Sequence, residues 1–372
     1  MFVLIKNKIT GEYKTIYRKD INAFKNLYSF FKQDTKLPEG VVPNFNFDII
    51  EDRQEIKKIL DEHFTSRGRG EEYDEDLPSA SKIAYSLFPI HINSEKFLIR
   101  YWNNTELKDQ VGERDLILSR GTFAHKILEL WVLDKESRAK DKEFINKIKK
   151  SNQNTKKHTR LSKQIDNKII SDIRKYIQLA YKDPEIIQKI PNIEDIKEEL
   201  EFLVVKCLPD FIKNELIFSD TVYSEIFLCI NGFIQGSIDS VVYKDGKFKI
   251  VDYKTTSSID KNTGKPKFKS NSQLAPFARQ LYIYNELLKR TGMTHLFDYE
   301  NPEYEIMQIH LVSGKYKKFN ISQGLIESQG KIVERVLKWY WDIRNEKFDL
   351  YEQYDKDDEY TDDSLDLGII SL

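Results

Sequence analysis

Two β-rich runs lie back to back across an Asp-Gly pair, and the charges they carry constrain the chain more than any other feature. Gly236-Ser237-Ile238-Asp239 places an aspartate on the first run. Val241-Val242-Tyr243-Lys244-Asp245-Gly246-Lys247-Phe248 follows, and Asp-Gly between apolar runs is a hairpin signal. Ile250-Val251-Asp252-Tyr253-Lys254-Thr255 is the returning strand. Strand side chains alternate between faces, so Asp252 and Lys254 point the same way. The hairpin folds Asp239 back toward Asp252, 252 − 239 = 13 positions on. Two carboxylates and an ammonium then converge. Hard oxygen ligands so grouped suit Mg²⁺ or Mn²⁺. A lysine beside them can polarise an attacking water or steady a developing phosphorane charge. Read alone, the run also fits an exposed hairpin with unrelated charges.

Three further elements bear on that choice. Ser119-Arg120-Gly121-Thr122-Phe123-Ala124-His125-Lys126-Ile127-Leu128-Glu129 has helical apolar spacing at Phe123, Ile127, Leu130 and Trp131. His125 and Glu129 are four apart and share a face; alone, the histidine also fits the core or the surface. In Tyr223-Ser224-Glu225-Ile226-Phe227-Leu228, Glu225 sits mid-strand among apolar residues, where burying a carboxylate without a partner is expensive. A metal site would explain it, and so would an outward-facing position on a half-exposed strand. Ala278-Arg279-Gln280-Leu281-Tyr282-Ile283-Tyr284-Asn285-Glu286-Leu287-Leu288 reads as a helix with Gln280 and Tyr284 one turn apart.

Asp239, Asp252 and Lys254 resemble the D…(D/E)-x-K signature of the PD-(D/E)XK nuclease superfamily, and Val-Asp-Tyr-Lys-Thr resembles its RecB-like branch. The histidine helix, glutamate strand, aspartate strand, D-x-K strand and Gln…Tyr helix follow that branch's order. The set runs from about Pro78 to Trp341. Within it, Pro78-Ser79-Ala80-Ser81-Lys82-Ile83 and Leu98-Ile99-Arg100-Tyr101-Trp102 resemble helices of the mitochondrial genome maintenance exonuclease group and its phage relatives. The resemblance implies an α/β fold with a restriction-endonuclease-like core, a mixed central sheet flanked by helices and a helical region covering the cleft. It implies a metal site of Asp239, Asp252, His125 and the main-chain carbonyl of Tyr253, with Glu225 orienting it. It implies Lys254 as the catalytic lysine, and Gln280 and Tyr284 on the DNA backbone, joined by Thr255, Arg120, Tyr101 and Trp102 as DNA contacts. The implied activity is metal-dependent phosphodiester hydrolysis, exonucleolytic on single-stranded or frayed DNA ends. The rivals are a double-strand-specific recombination exonuclease, a structure-specific endonuclease, and a DNA-binding scaffold with a decayed core. The intact Asp239, Asp252 and Lys254 argue against decay.

Composition bears on three points. Several RecB-like nucleases hold a four-cysteine iron–sulfur cluster, and two cysteines, Cys207 and Cys229, cannot supply four ligands. Both lie in apolar context and read as reduced core residues. The net charge of −1 hides an asymmetry. Basic residues collect from Lys147 to Lys168 and at Lys261, Lys265, Lys267 and Lys269, where they suit phosphates. Ser151–Thr159 also reads as a flexible linker. Acid collects at Glu71–Asp76 and after Asp355. Tyr101, Trp102 and Tyr282 are candidates for stacking on bases of a single strand. No apolar run approaches a transmembrane span, no P-loop is present, and Met1–Lys6 is too short and too soon charged for a signal peptide. These features suggest a cytoplasmic protein of a bacterium or a phage-infected cell.

The chain divides into residues 1–77, an N-terminal extension with a hairpin and helices at Ala23–Phe31 and Glu55–Phe64; 78–350, a nuclease domain with a helical insertion at about 135–212; and 351–372, an acidic disordered tail. Extension and tail are candidate docking points for a protein partner. Strands are expected at Tyr304–Val312 and Tyr316–Ile321. A helix at Leu325–Ile343 should pack its apolar stripe on the sheet.

Overall fold

The computed structural model describes residues 2–7, 13–17, 47–50, 52–63, 77–85, 89–90, 107–150, 155–217, 219, 221–230, 232–244, 247–260, 263–270, 273–292 and 302–345. The expected helix at 23–31, the turns at 10–11 and 245–246, Leu98–Trp102 and the acidic tail lie outside them.

The central sheet has five strands: β5 (Thr221–Ile230), β6 (Ile234–Lys244), β7 (Lys247–Thr256), β8 (Glu303–His310) and β9 (Tyr316–Ile321), in the order β5-β6-β7-β8-β9. Only the β7–β8 pair is parallel. This is the mixed sheet expected. The parallel step needs a crossover, which α8 (Ala275–Arg290) provides.

Helices cover both faces. On one side β7 and β8 turn Ile250 and Ile306 toward α2 (Ala80–Tyr85), α8 and α9 (Gln323–Arg344). On the other, Val251, Tyr253 and Met307 meet α3 (Leu107–Leu133), α5 (Thr155–Ala180) and α7 (Lys197–Phe211). Phe123, Ile127 and Trp131 of α3 are fully buried there; each such side chain contributes roughly 1.5–3 kcal/mol. Between these helices lie α4 (Lys135–Lys150) and α6 (Pro184–Lys189). The stripe of α9 is buried at Val333, Val336, Leu337 and Tyr340, but it packs chiefly on α8, which lies between it and the sheet, rather than on the sheet directly.

A second sheet, ordered β3-β1-β2-β4, joins β1 (Phe2–Asn7), β2 (Tyr13–Tyr17), β3 (Phe47–Ile50) and β4 (Pro89–Ile90). Leu4, Tyr13 and Ile50, with Ile56 and Ile59 of α1 (Arg53–His63), belong to the same core as α8 and α9. The strands of the N-terminal extension are therefore packed against the rest of the chain. Among the described residues no helix is long and apolar enough to cross a membrane.

Three sequence readings need correction. Helix α5 begins at Thr155, inside the stretch that also read as linker, and its buried Ile165, Ile169, Ile173 and Ile177 sit at helical spacing further along. Cys229 is exposed, because β5 is an edge strand whose residues alternate and Leu228 takes the inward position; Cys207 is buried as expected. Tyr282 is not poised for bases: its hydroxyl donates to Glu334 at 2.6 Å across α8 and α9, and its ring lies against Gly330.

Candidate active site

The β6–β7 ladder pairs Val241 with Ile250 and Ser240 with Val251, then stops. Asp239 and Asp252 occupy the next opposed positions, where the strands part. There the Asp239 carboxylate takes over a ladder bond, its Oδ2 accepting the Tyr253 N–H at 2.7 Å. On the other side of β6 the ladder to β5 pairs Ser224 with Ser240 and Ile226 with Ile238, and skips Glu225 and Asp239. Glu225 has φ +49°, a left-handed conformation rare for a residue with a side chain. A local twist of the backbone at Glu225, with the register unchanged on either side, thus leaves Glu225 opposite Asp239.

Helix α3 delivers His125 from the opposite side. Its Nδ1 lies 3.9 Å from Asp239 Oδ2. The helix approaches closely because residue 121 is glycine: a Cβ there would stand 2.6 Å from Thr255 Oγ1. Ligand atoms of His125, Glu225 and Asp239 all lie within 4.8 Å of one another. Two ligands on opposite sides of a magnesium ion stand about 4 Å apart, so the group would close in by under an ångström around one small divalent ion.

Asp252 is fully buried and faces Lys254, whose Nζ stands 2.7 Å away and bonds Oδ1. Oδ2 lacks a well-directed donor. Burial, reinforced by the charge of Asp239 and only partly offset by Lys254, pushes the Asp252 carboxyl up to about 7. Burial works against the Lys254 ammonium, but Asp252, Tyr85 and Asp239 together outweigh it and hold Lys254 protonated. Nζ also donates to Gln280 Oε1 at 3.1 Å, and Gln280 Nε2 donates to Tyr284. Glu225, Asp239 and His125 thus converge beside the Asp252–Lys254 pair, a set of donors that suits a hard divalent cation.

His125, Glu225, Asp239, Tyr253, Lys254, Gln280 and Tyr284 line a cleft of about 700 Å³, together with Thr255 and with Lys82 of α2 and Lys189 of α6, and Asp252 lies buried behind Lys254. Helix α6 is fastened to its wall: Lys126 bridges Glu129 at 3.0 Å and Asp183 at 2.8 Å, and Asp183 caps α6 by accepting the Glu185 N–H at 2.9 Å.

Of the expected site residues, the structure brings together His125, Glu225, Asp239, Asp252, Tyr253, Lys254, Thr255, Gln280 and Tyr284. Two features differ from expectation. Glu225 joins the candidate ligand group directly, while Asp252 turns to Lys254. Arg120 does not line the cleft; its guanidinium pairs with Glu199 of α7. Lys168 of the basic run is likewise engaged, by Asp141 and by Asp172 at 3.0 Å. Tyr101 and Trp102 lie outside the described residues. Sequence reasoning missed Tyr85 and Phe277, whose rings each stand 5.7 Å from Lys254 Nζ. The aromatic residues that end α2 and begin α8 were the available signal.

Comparisons with known proteins bear on this arrangement. A family model described as PD-(D/E)XK nuclease superfamily matches residues 95–353. The RecBCD enzyme subunit RecB of Borreliella burgdorferi is 25% identical over 270 residues, 68% of this chain. That match spans 22% of the relative's own length. The crystal structure of SSO0001 aligns with 45% of this chain and 70% of its own at 17% identity, but with a TM-score of 0.22.

Proposed function

The chain belongs to the PD-(D/E)XK nuclease superfamily, and on that premise we propose that it is a divalent-metal-dependent deoxyribonuclease acting on free single-stranded DNA ends in replication, recombination or repair. The observation that carries the reading is the His125–Glu225–Asp239 group beside the Asp252–Lys254 pair in one cleft. His125, Glu225 and Asp239 would hold Mg²⁺ or Mn²⁺, with Asp252 and the Tyr253 carbonyl completing the set. When bound, such an ion acidifies a water and neutralises a phosphate.

Lys254 is assigned the role of oriented cation rather than base. Its contact with Asp252 keeps it protonated, so it donates to the attacking water or to developing charge on the phosphate. Gln280 fixes the direction of that ammonium, and Tyr284 fixes Gln280. Lys82 and Lys189 on the rim suit the flanking phosphates. The cleft is of the size that encloses a small ligand, which favours a short stretch of one strand over a duplex.

The RecB likeness supports a second reading. That relative is named as a subunit of an enzyme, so this chain may be read as the nuclease unit of a recombination exonuclease that meets duplex ends with a partner. End-labelled linear and circular DNA, single- and double-stranded, incubated with Mg²⁺ or Mn²⁺, separates the two. Rapid loss of linear single strands with resistant circles supports the first. Preference for blunt duplex supports the second, and cleavage of circles points to an endonuclease. No cleavage under any of these conditions would overturn the nuclease reading.

A further inference from the structure

Lys254 sits in a cage that reaches beyond the family signature. Its Nζ lies 2.7 Å from the Asp252 carboxylate and 3.1 Å from Gln280 Oε1, with the rings of Tyr85 and Phe277 each at 5.7 Å. The two rings meet edge to face, 6.1 Å between centroids. The Tyr85 hydroxyl also donates to Gln280 Oε1 at 3.0 Å, a contact between residues 195 positions apart.

The amide of Gln280 decides what Lys254 meets. The two ends of a carboxamide have nearly the same shape, so its neighbours choose the orientation. An ammonium only donates, and it requires Oε1. The Tyr85 hydroxyl supplies a second donor to that oxygen, while the Tyr284 oxygen accepts from Nε2. A flipped amide would point its NH₂ at the ammonium, which cannot accept; the Tyr85 hydroxyl, bonded to the same oxygen, holds that oxygen in place.

We infer that Tyr85 of α2 is a positioning residue for catalysis: it locks the Gln280 amide and thereby aims the Lys254 ammonium. Burial, aided by the charges of Asp252 and Asp239 against that of Lys254, raises the Tyr85 phenol, so the hydroxyl keeps its proton across the working pH range. The inference rests on the nuclease reading above, and it adds a residue from an element that the D-x-K and Gln…Tyr motifs do not include.

The test uses the full chain with Mg²⁺ and a linear single-stranded substrate, comparing wild type, Tyr85→Phe, Gln280→Ala and the double variant. Phenylalanine keeps the ring and removes only the hydroxyl. Tyr85→Phe should lower kcat about five- to tenfold, the scale of one lost hydrogen bond, with KM and Tm held. In the Gln280→Ala background the same change should cost clearly less, because the route through the amide is gone and only the hydroxyl's direct contact with Lys254 is left to lose. Magnesium affinity by calorimetry should match wild type. Wild-type kcat in Tyr85→Phe, an equal loss in both backgrounds, or a loss in Tm or metal affinity instead would overturn the inference. An inactive wild type would strike the nuclease reading itself.

Discussion

Two groups of acidic side chains flank β7, and they solve opposite problems. At the far end Glu215, Glu303 and Glu305 meet Lys247, Lys249 and Lys318. Lys247 lies 2.6 Å and Lys249 3.2 Å from Glu303, and Lys249 lies 3.6 Å from Glu305. Glu215 accepts from Tyr316 at 2.7 Å and from Lys318 at 2.8 Å. Three carboxylates there face three lysines. At the cleft, Glu225 and Asp239 gather with His125, and Asp252 pairs with Lys254. Both groups contain a carboxyl raised by burial, Glu305 in one and Asp252 in the other. Burial of acid is therefore not what marks a reactive site. What differs at the cleft is geometry: Glu225, Asp239 and His125 converge on one point, whereas each far carboxylate lies against a lysine.

The largest expected effect tests the cleft half of this contrast. Asp239→Asn should lower kcat at least 100-fold, about 3 kcal/mol or more, the scale of removing one oriented electrostatic group, with the fold kept. Near wild-type turnover would break the distinction between the two groups. Glu215→Gln should do the reverse. It should destabilise the fold by about 1–3 kcal/mol, read as a lower Tm, with turnover at low temperature unchanged. A loss of turnover there would mean that the far group also serves the chemistry.

A smaller effect follows from pH. The folded Asp252 carboxyl is raised from 3.8 to about 7. Without metal, the folded state then binds the proton more tightly than the unfolded chain. Its contribution is fully present below 3.8 and fades as pH rises through about 7. Metal binding requires the deprotonated form, so magnesium affinity should fall about tenfold per pH unit below 7. Calorimetry from pH 5 to 8 measures it; a flat profile would remove Asp252 from the ligand set. The smallest effect concerns the rim. Lys126→Ala releases α6 from its strut and should lower stability by about 1 kcal/mol, since the pair is only partly shielded. Denaturant titration reads it, and a loss several times larger would make the strut part of the core.

Much of this was legible in the chain because it depends on local periodicity. The period of two in Ile250–Thr255 put Asp252 and Lys254 on one face, and they lie 2.7 Å apart. The four-residue step from Gln280 to Tyr284 is one bond in α8. What was not legible depends on partners distant in sequence. Arg120 sits beside the signature glycine, but Glu199, on a helix folded back over α3, claims its charge. Tyr282 has the exposure pattern of a stacking residue until α9 arrives with Gly330 and Glu334. Tyr85 meets Gln280 only through tertiary packing. The placement of Glu225 beside Asp239 goes with a single unusual backbone angle, which no side-chain pattern encodes.

That angle has a consequence for anyone breeding a hardier version of this protein. A left-handed residue with a side chain holds roughly 1–3 kcal/mol of strain, which glycine releases. A library selected on heat resistance alone should therefore enrich Glu225→Gly, and each winner would lose the carboxylate that stands beside Asp239 and His125. Position 225 is where durability and activity pull apart, and selection must be imposed on both at once.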